Sequence, residues 1–401
     1  MCAYLISMRK ILLSALCAAA LFAGALPATA ADHRPPPCTA SPPARAGKAA
    51  DIVRIAEEAR RDLDLNSVVL KVTVRGREVV TSALGESMTG VPADPAMHFR
   101  NGSVAIAYLG TVLLQLVDEG RVSLDDPVSR WLPRLPHSER ITLRMLGSST
   151  SGLADYVTDP GFLAALDADP FRQWEARELV RISTSHPLWY RPGTNWSYSH
   201  ANFVILGRAL ERITGTPLDA LLRERVLRPL GLSETRSSTT PDIPAPVLHA
   251  FTAERGTYEE STFWNPSWTT APGAVMTTDI CDLARSAVAV GTGELLSRRA
   301  HREQLDPGTV GLGGPTDTCP ETVCFANTEA RHYGLGVNVL NTWITQNPVF
   351  DGFAAVQAYL PSRHLAVAVS TTQGPDSPGG NTAQLVAARI AAVLAPERPL
   401  G

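Results

Sequence analysis

The stretch Phe99-Arg100-Asn101-Gly102-Ser103-Val104-Ala105-Ile106-Ala107-Tyr108-Leu109-Gly110-Thr111-Val112-Leu113-Leu114-Gln115-Leu116-Val117-Asp118-Glu119-Gly120 decides how this chain is read. Residues 104–117 are apolar on nearly every side of a helical wheel. A helix without a polar face belongs in the interior, and a glycine such as Gly120 is the usual stop. The expectation is a buried central helix with a single hydroxyl, that of Ser103, at its mouth. A serine there has two readings. It can cap the helix, its hydroxyl accepting from an N–H one turn on. Or it can be a nucleophile, with its own backbone N–H and the positive helix end close to developing anionic oxygen.

Working outward, residues 68–74 and 78–84 are β-branched runs separated by Arg75-Gly76-Arg77, a hairpin signal. Residues 51–63 show helical periodicity ahead of them. At the other end, residues 354–360 and 364–370 alternate like strands around Pro361-Ser362-Arg363, and residues 383–394 form a closing amphipathic helix. Residues 126–270 read as helical segments and Pro-punctuated loops, with helices clearest at 201–214 and 218–227. The 401 residues exceed what one simple core usually organises. An α+β architecture follows, with a domain over 51–401: an α/β lobe from about 51–100 and 271–401, and an all-helical lobe from about 101–270. Residues 31–50, rich in Pro and Ala, read as a linker.

Residues 1–30 read as an export signal. Arg9 and Lys10 form a positive start, residues 11–26 are apolar, and Ala28-Thr29-Ala30 is a small-residue cleavage site. The apolar run is short of the roughly 20 residues of a membrane span. The expectation is a secreted or cell-envelope protein with no stable membrane span after cleavage. Export makes disulfides admissible. Cys319 and Cys324 flank a short Pro-containing loop and can bridge locally, leaving Cys38 with Cys281; free or buried thiols are the alternative. Neither cysteine of the close pair has a histidine at metal spacing, which argues against zinc. A formal charge of −3 with 19% charged residues gives no electrostatic reason to expect nucleic acid.

Several stretches, in this order, resemble one family. Phe99-Arg100-Asn101-Gly102-Ser103 resembles the approach to the active serine of β-lactamases, penicillin-binding D-Ala-D-Ala carboxypeptidases and related esterases. Leu116-Val117-Asp118-Glu119-Gly120, Leu124-Asp125-Asp126-Pro127-Val128, Ile141-Thr142-Leu143-Arg144 and Thr150-Ser151-Gly152-Leu153 look like later landmarks. So do Pro192-Gly193, Trp196-Ser197-Tyr198-Ser199, Pro229-Leu230-Gly231-Leu232 and Tyr333-Gly334-Leu335-Gly336. The resemblance covers residue 51 to the C-terminus. It implies an antiparallel sheet flanked by helices, plus a helical lobe, with the site in the cleft between them. It implies acyl transfer on an amide or ester, a small-molecule or peptidoglycan-like substrate, and no cofactor.

The resemblance also implies where the site departs from its pattern. The family places a lysine one helical turn after the serine, sharing proton removal with a cleft tyrosine; positions i and i+3 lie on one helix face. Here that position is Ile106, and the chain's lysines are Lys10, Lys48 and Lys71. An alkyl group neither takes a proton nor holds charge beside a phenol. The second motif, Tyr-any-Asn, reads Tyr198-Ser199-His200. His200 is either a substitute base, since imidazole titrates near neutrality, or a hydrogen-bonding occupant of the Asn position. The third motif, Lys-Thr-Gly or His-any-Gly, falls at Gln346-Asn347-Pro348, where Gln346 offers a donor and no cation. Trp196 beside Tyr198 is a candidate stacking surface, against the commoner role of tryptophan in cores. Two functions follow: a serine hydrolase working through Ser103, Tyr198 and His200, or a catalytically inactive homologue binding a cell-envelope ligand in the same cleft.

Overall fold

The computed structural model describes residues 37–401. The export signal at 1–30 and the first part of the 31–50 linker lie outside the described residues. Helix α1 (Lys48–Asp62) starts earlier than the apolar period suggests, with Asp51 in its first turn and Arg60 and Arg61 in its last, complementing the helix dipole. Strands β1 (Leu65–Val74) and β2 (Arg77–Met88) form the expected hairpin. Its two-residue turn puts Arg75 at φ 52° and Gly76 at φ 72°, the left-handed pair that matches strand twist. Helix α2 (Val104–Asp118) buries nearly its whole circumference and ends at Gly120 with φ 68°.

The C-terminal part returns to the same sheet. Strands β3 (Arg331–Tyr333), β4 (Asn338–Leu340), β5 (Trp343–Gln346), β6 (Phe353–Leu360) and β7 (Leu365–Gln373) are followed by a closing helix over Thr382–Leu394. The order is β2-β1-β7-β6-β5-β4-β3, antiparallel at every pairing. Val72↔Val367 and Val69↔Ser370 join the two chain ends at the sheet centre. Strand alternation divides the core in two. Val68, Leu70, Val72, Val356, Val367 and Val369 pack under α1 and the closing helix. Val69, Ala355 and Ala368 face the other way, into the core that contains α2.

The middle of the chain is mostly helical, with α3 (His200–Thr214) ending at left-handed Gly215. It departs from expectation in two places. The helix read at 218–227 is α-helical over Leu218–Leu222 and widens to a π-turn over Arg223–Leu227. Short strands at Arg236–Ser237, Phe251–Thr252 and Glu259–Glu260 lie inside what was read as an all-helical lobe. Residues 37–47 have no regular structure, yet they are docked rather than free. Ser41 N–H donates to Thr81 O at 2.8 Å, and Cys38 is disulfide-bonded to Cys281.

Cys281 belongs to helix α4 (Ile280–Thr292), capped by the Asp279 carboxylate, which accepts from Asp282 N–H at 2.8 Å. Asp282 is 7% exposed and its carboxylate accepts from Glu234 N–H and the Thr235 hydroxyl. Burial, then the neighbouring Asp279, pushes its pKa up to about 7. A carboxyl whose folded pKa is raised adds stability at low pH, and that contribution fades as pH rises through about 7. Asp282→Asn is therefore expected to remove a loss of stability, on the order of 2 kcal/mol between pH 5 and pH 8, carried by this one group. Urea midpoints at the two pH values check it: an unchanged pH slope in the variant refutes the assignment.

Candidate active site

Ser103 sits where a short strand meets α2. Phe99–Arg100 pairs with Met276–Thr278, and Asn101 N–H donates to Met276 O at 2.9 Å, so the approach to the serine is held by the sheet side of the cleft. Ser103 is αR (φ −64°, ψ −6°), and its side chain makes no hydrogen bond to its own helix end. The capping reading therefore falls away. The residue is half-buried, and its hydroxyl acts to lower the pKa of the Tyr198 phenol, against larger influences that raise it.

A second wall is packed against the serine loop. A Cβ on Gly102 (φ +37°) would lie 2.7 Å from Pro348 Cβ. Pro348 is fixed in turn by Asn381, which caps the closing helix through Gln384 N–H. The Asn381 amide also donates to Asn347 O, Pro348 O and Ala355 O. Gly102→Ala meets both a left-handed backbone and this proline ring, so Ser103 must shift. The expected result is a loss of at least tenfold in reactivity at Ser103, with stability reduced by about 1–2 kcal/mol. Reactivity within twofold of the parent would show that the close approach does not position the serine.

Tyr198 is held by a polar clamp. Ser149 donates through its hydroxyl to Ser197 O at 2.8 Å and accepts from Ser199 N–H and the Asn202 amide. Ser151 donates to Asn202 Oδ1 at 2.6 Å. Burial first, then the negative charge of Asp155, raises the Tyr198 pKa well above that of an ordinary phenol; the Ser103 hydroxyl opposes this. No cation is among these influences, and the lysine position is filled by Ile106, 1% exposed. Tyr198 is therefore a neutral hydrogen-bonding phenol near pH 7 rather than a base.

His200 is the first residue of α3. Its Nδ1 lies 2.9 Å from Asp155 Oδ2, and its backbone N–H donates to Asp155 Oδ1 at 3.2 Å. Asp155 is 4% exposed. In its neutral form, an imidazole donating from Nδ1 to this carboxylate has its lone pair on Nε2. The ring stands edge-on to Tyr198, centroids 4.9 Å apart at 88°. Tyr198 and His200 thus stand side by side, with Asp155 holding His200.

Other sequence candidates take structural places. Trp196 is 7% exposed and its indole N–H donates to Ser148 O, so it braces the Tyr198 loop and offers no stacking face. Gln346 is 2% exposed and its amide donates to Gly336 O; it locks β5 to the turn over α2 and presents no donor to a substrate. Trp343 lies in the opposite core, its N–H donating to Arg398 O. Cys319 and Cys324 are disulfide-bonded. Among the described residues no group of three or more His, Cys, Asp or Glu side chains is arranged to hold a metal ion.

Three contributors escaped the sequence. Asp155 is a lone carboxylate 45 residues from His200, and no spacing links them. Ser149 stands in a run of small polar residues without periodicity, at φ 59°. Tyr333 was visible as part of a landmark, but not its place. Its ring packs against Tyr198, centroids 6.1 Å apart, and its buried hydroxyl has no hydrogen-bond partner.

A sheet-and-helix cleft with a serine at the mouth of a buried helix and a tyrosine opposite is the arrangement of the penicillin-recognising serine hydrolases. The chain belongs to the Beta-lactamase family, whose profile matches residues 52–392. It is 32% identical over 202 residues to the esterase EstB of Burkholderia gladioli, covering 47% of this chain and 51% of that protein. It is 31% identical over 193 residues to the D-alanyl-D-alanine-carboxypeptidase/endopeptidase AmpH of Escherichia coli K12, covering 46% and 48%. The chain spans about half the length of such curated relatives. Among solved structures, a D-stereospecific amidohydrolase from Streptomyces sp. superposes with TM-score 0.70 at 25% identity, covering 85% of this chain and 97% of that one.

Proposed function

We propose that this protein is an exported serine hydrolase that forms an acyl-enzyme at Ser103 from a small amide or ester substrate. The observation that carries the reading is Ser103 at the mouth of α2, with its hydroxyl uncommitted to its own helix end. In this mechanism Ser103 Oγ attacks the carbonyl carbon while its proton passes to the Tyr198–His200 wall; the tetrahedral intermediate then collapses by breaking the amide C–N or ester C–O bond, and that proton passes to the departing amine or alkoxide. His200, oriented by Asp155, is the acceptor in place of the absent amine. The backbone N–H of Ser103 and the positive end of α2 face the developing oxyanion. Export rests on the reading of residues 1–30 and is supported by two disulfides, which belong to oxidising compartments.

A fluorophosphonate probe tests this. The expected result is a mass adduct on Ser103 that is absent from Ser103→Ala and slowed at least tenfold in His200→Asn. A rate carried by the Tyr198 phenolate would still be climbing at pH 10, because burial and Asp155 hold that phenol above the ordinary range. No adduct above the Ser103→Ala level removes the catalytic reading.

A second reading is favoured by Ile106 and by the loss of any cation at Gln346: a non-catalytic member that retains the cleft for a cell-envelope ligand, peptidoglycan-like in chemistry. It predicts stabilisation by a D-Ala-D-Ala peptide that persists in Ser103→Ala.

A further inference from the structure

A groove of about 590 Å³ runs between the helix Ala176–Ser185 and α3, bounded at one side by the loop at residues 131–136. It is in the size range of small-ligand sites. Its apolar lining includes Leu132, Val180 and Ile205. It also carries five guanidiniums, those of Arg134, Arg177, Arg181, Arg208 and Arg212, and no Asp or Glu lines it.

Several arginines elsewhere are held by carboxylates, although others outside the groove are not. Arg144 holds Asp125, Arg172 holds Glu178, Arg225 holds Glu119, Arg285 holds Glu294, and Arg389 holds Asp62. Among the described residues, none of the five groove arginines has an ion-pair partner. Arg177 and Arg181 lie one turn apart on one wall, and Arg208 and Arg212 one turn apart on the other. Like charges at that spacing disfavour a helix, and among the described residues no carboxylate lies within ion-pair distance of these guanidiniums.

We propose that this groove binds an anionic amphiphile, with a phosphate monoester head among the arginines and an alkyl tail along Leu132, Val180 and Ile205. The guanidinium fork matches phosphate in bidentate fashion, and five positive charges suit a dianionic head better than a single carboxylate. A bare anion would leave the apolar lining of the groove uncovered. The groove shares no residue with the Ser103 site, so the inference stands apart from the catalytic reading.

Isothermal titration of the full chain with dodecyl phosphate, below its micelle concentration, tests this. The expected result is one site per chain, at least tenfold tighter than inorganic phosphate or dodecyltrimethylammonium. R181E/R208E should weaken it at least tenfold and Ser103→Ala should leave it unchanged. Should the charge reversal fail to fold, R181Q/R212Q replaces it, with a loss of at least threefold expected. Equal affinity for inorganic phosphate, equal affinity for the cationic detergent, or unchanged affinity in a folded arginine variant would each overturn the proposal.

Discussion

Ile106→Lys is expected to raise the rate of Ser103 acylation by roughly two orders of magnitude, the low end of what a positioned acid–base group contributes. Ile106 lies one turn from Ser103, and its N–H donates to Ser103 O at 3.0 Å. A side chain there projects from the same helix face as the serine. The local field at Tyr198 now comes from burial and the Asp155 carboxylate, both of which hold the phenol protonated. An ammonium at position 106 would act in the opposite sense, drawing the phenol toward ionisation and offering a proton acceptor once neutral. The Tyr333 hydroxyl, buried beside Tyr198 without a partner, is available to a new donor. Stability is expected to fall by about 2–4 kcal/mol, since an amine replaces hydrocarbon at a 1% exposed position. Rates of fluorophosphonate labelling, compared with Ser103→Ala/Ile106→Lys, measure the effect. A folded variant that labels no faster than the parent means that the cleft lacks more than its amine.

The second large effect is on stability. Cys38 and Cys281 close a loop with a sequence separation of 243 residues. Chain-entropy reasoning gives such a long closure about 5 kcal/mol, the upper end of the usual range. Cys281→Ser also releases residues 37–47 from α4, leaving the Ser41 contacts with β2 as their anchor. The melting temperature is expected to drop by roughly 5–8 °C. Cys324→Ser, opening a closure with a sequence separation of 5, should cost far less. Calorimetry of the two variants decides it: equal losses would mean that the long closure adds little to the unfolded-state constraint.

What the sequence made legible was local and periodic. The apolar wheel of 104–117, the Arg75-Gly76 turn and the alternation of β6 and β7 are repeats of 3.6 or 2 that need no knowledge of distant partners. The lobes could be sketched because strand-like segments lie at both ends. The short strands at Arg236–Ser237, Phe251–Thr252 and Glu259–Glu260 were not legible, since two residues carry no period. Within the site, Ser103, Tyr198 and His200 were named from motif positions, but their surroundings were not. Asp155 behind His200, Pro348 against Gly102 and the unpartnered Tyr333 hydroxyl are tertiary meetings between segments far apart in the chain. The same blindness made Trp196 and Gln346 look available to a substrate, when each uses its donor on a backbone carbonyl.

The pairing of β1 with β7 bears on how the molecule is made. Val69 meets Ser370 and Val72 meets Val367, so the central pair of the sheet spans some three hundred residues of chain. A nascent polypeptide emerging in order can pair β1 with β2, but β1 has no partner on its other edge until β7, the last strand, has been synthesised. Its apolar residues must wait, exposed or held by chaperones, and such long-range closure is intrinsically slow. A ribosome stalled before Leu365 would carry a chain whose first hairpin has formed and whose sheet has no middle.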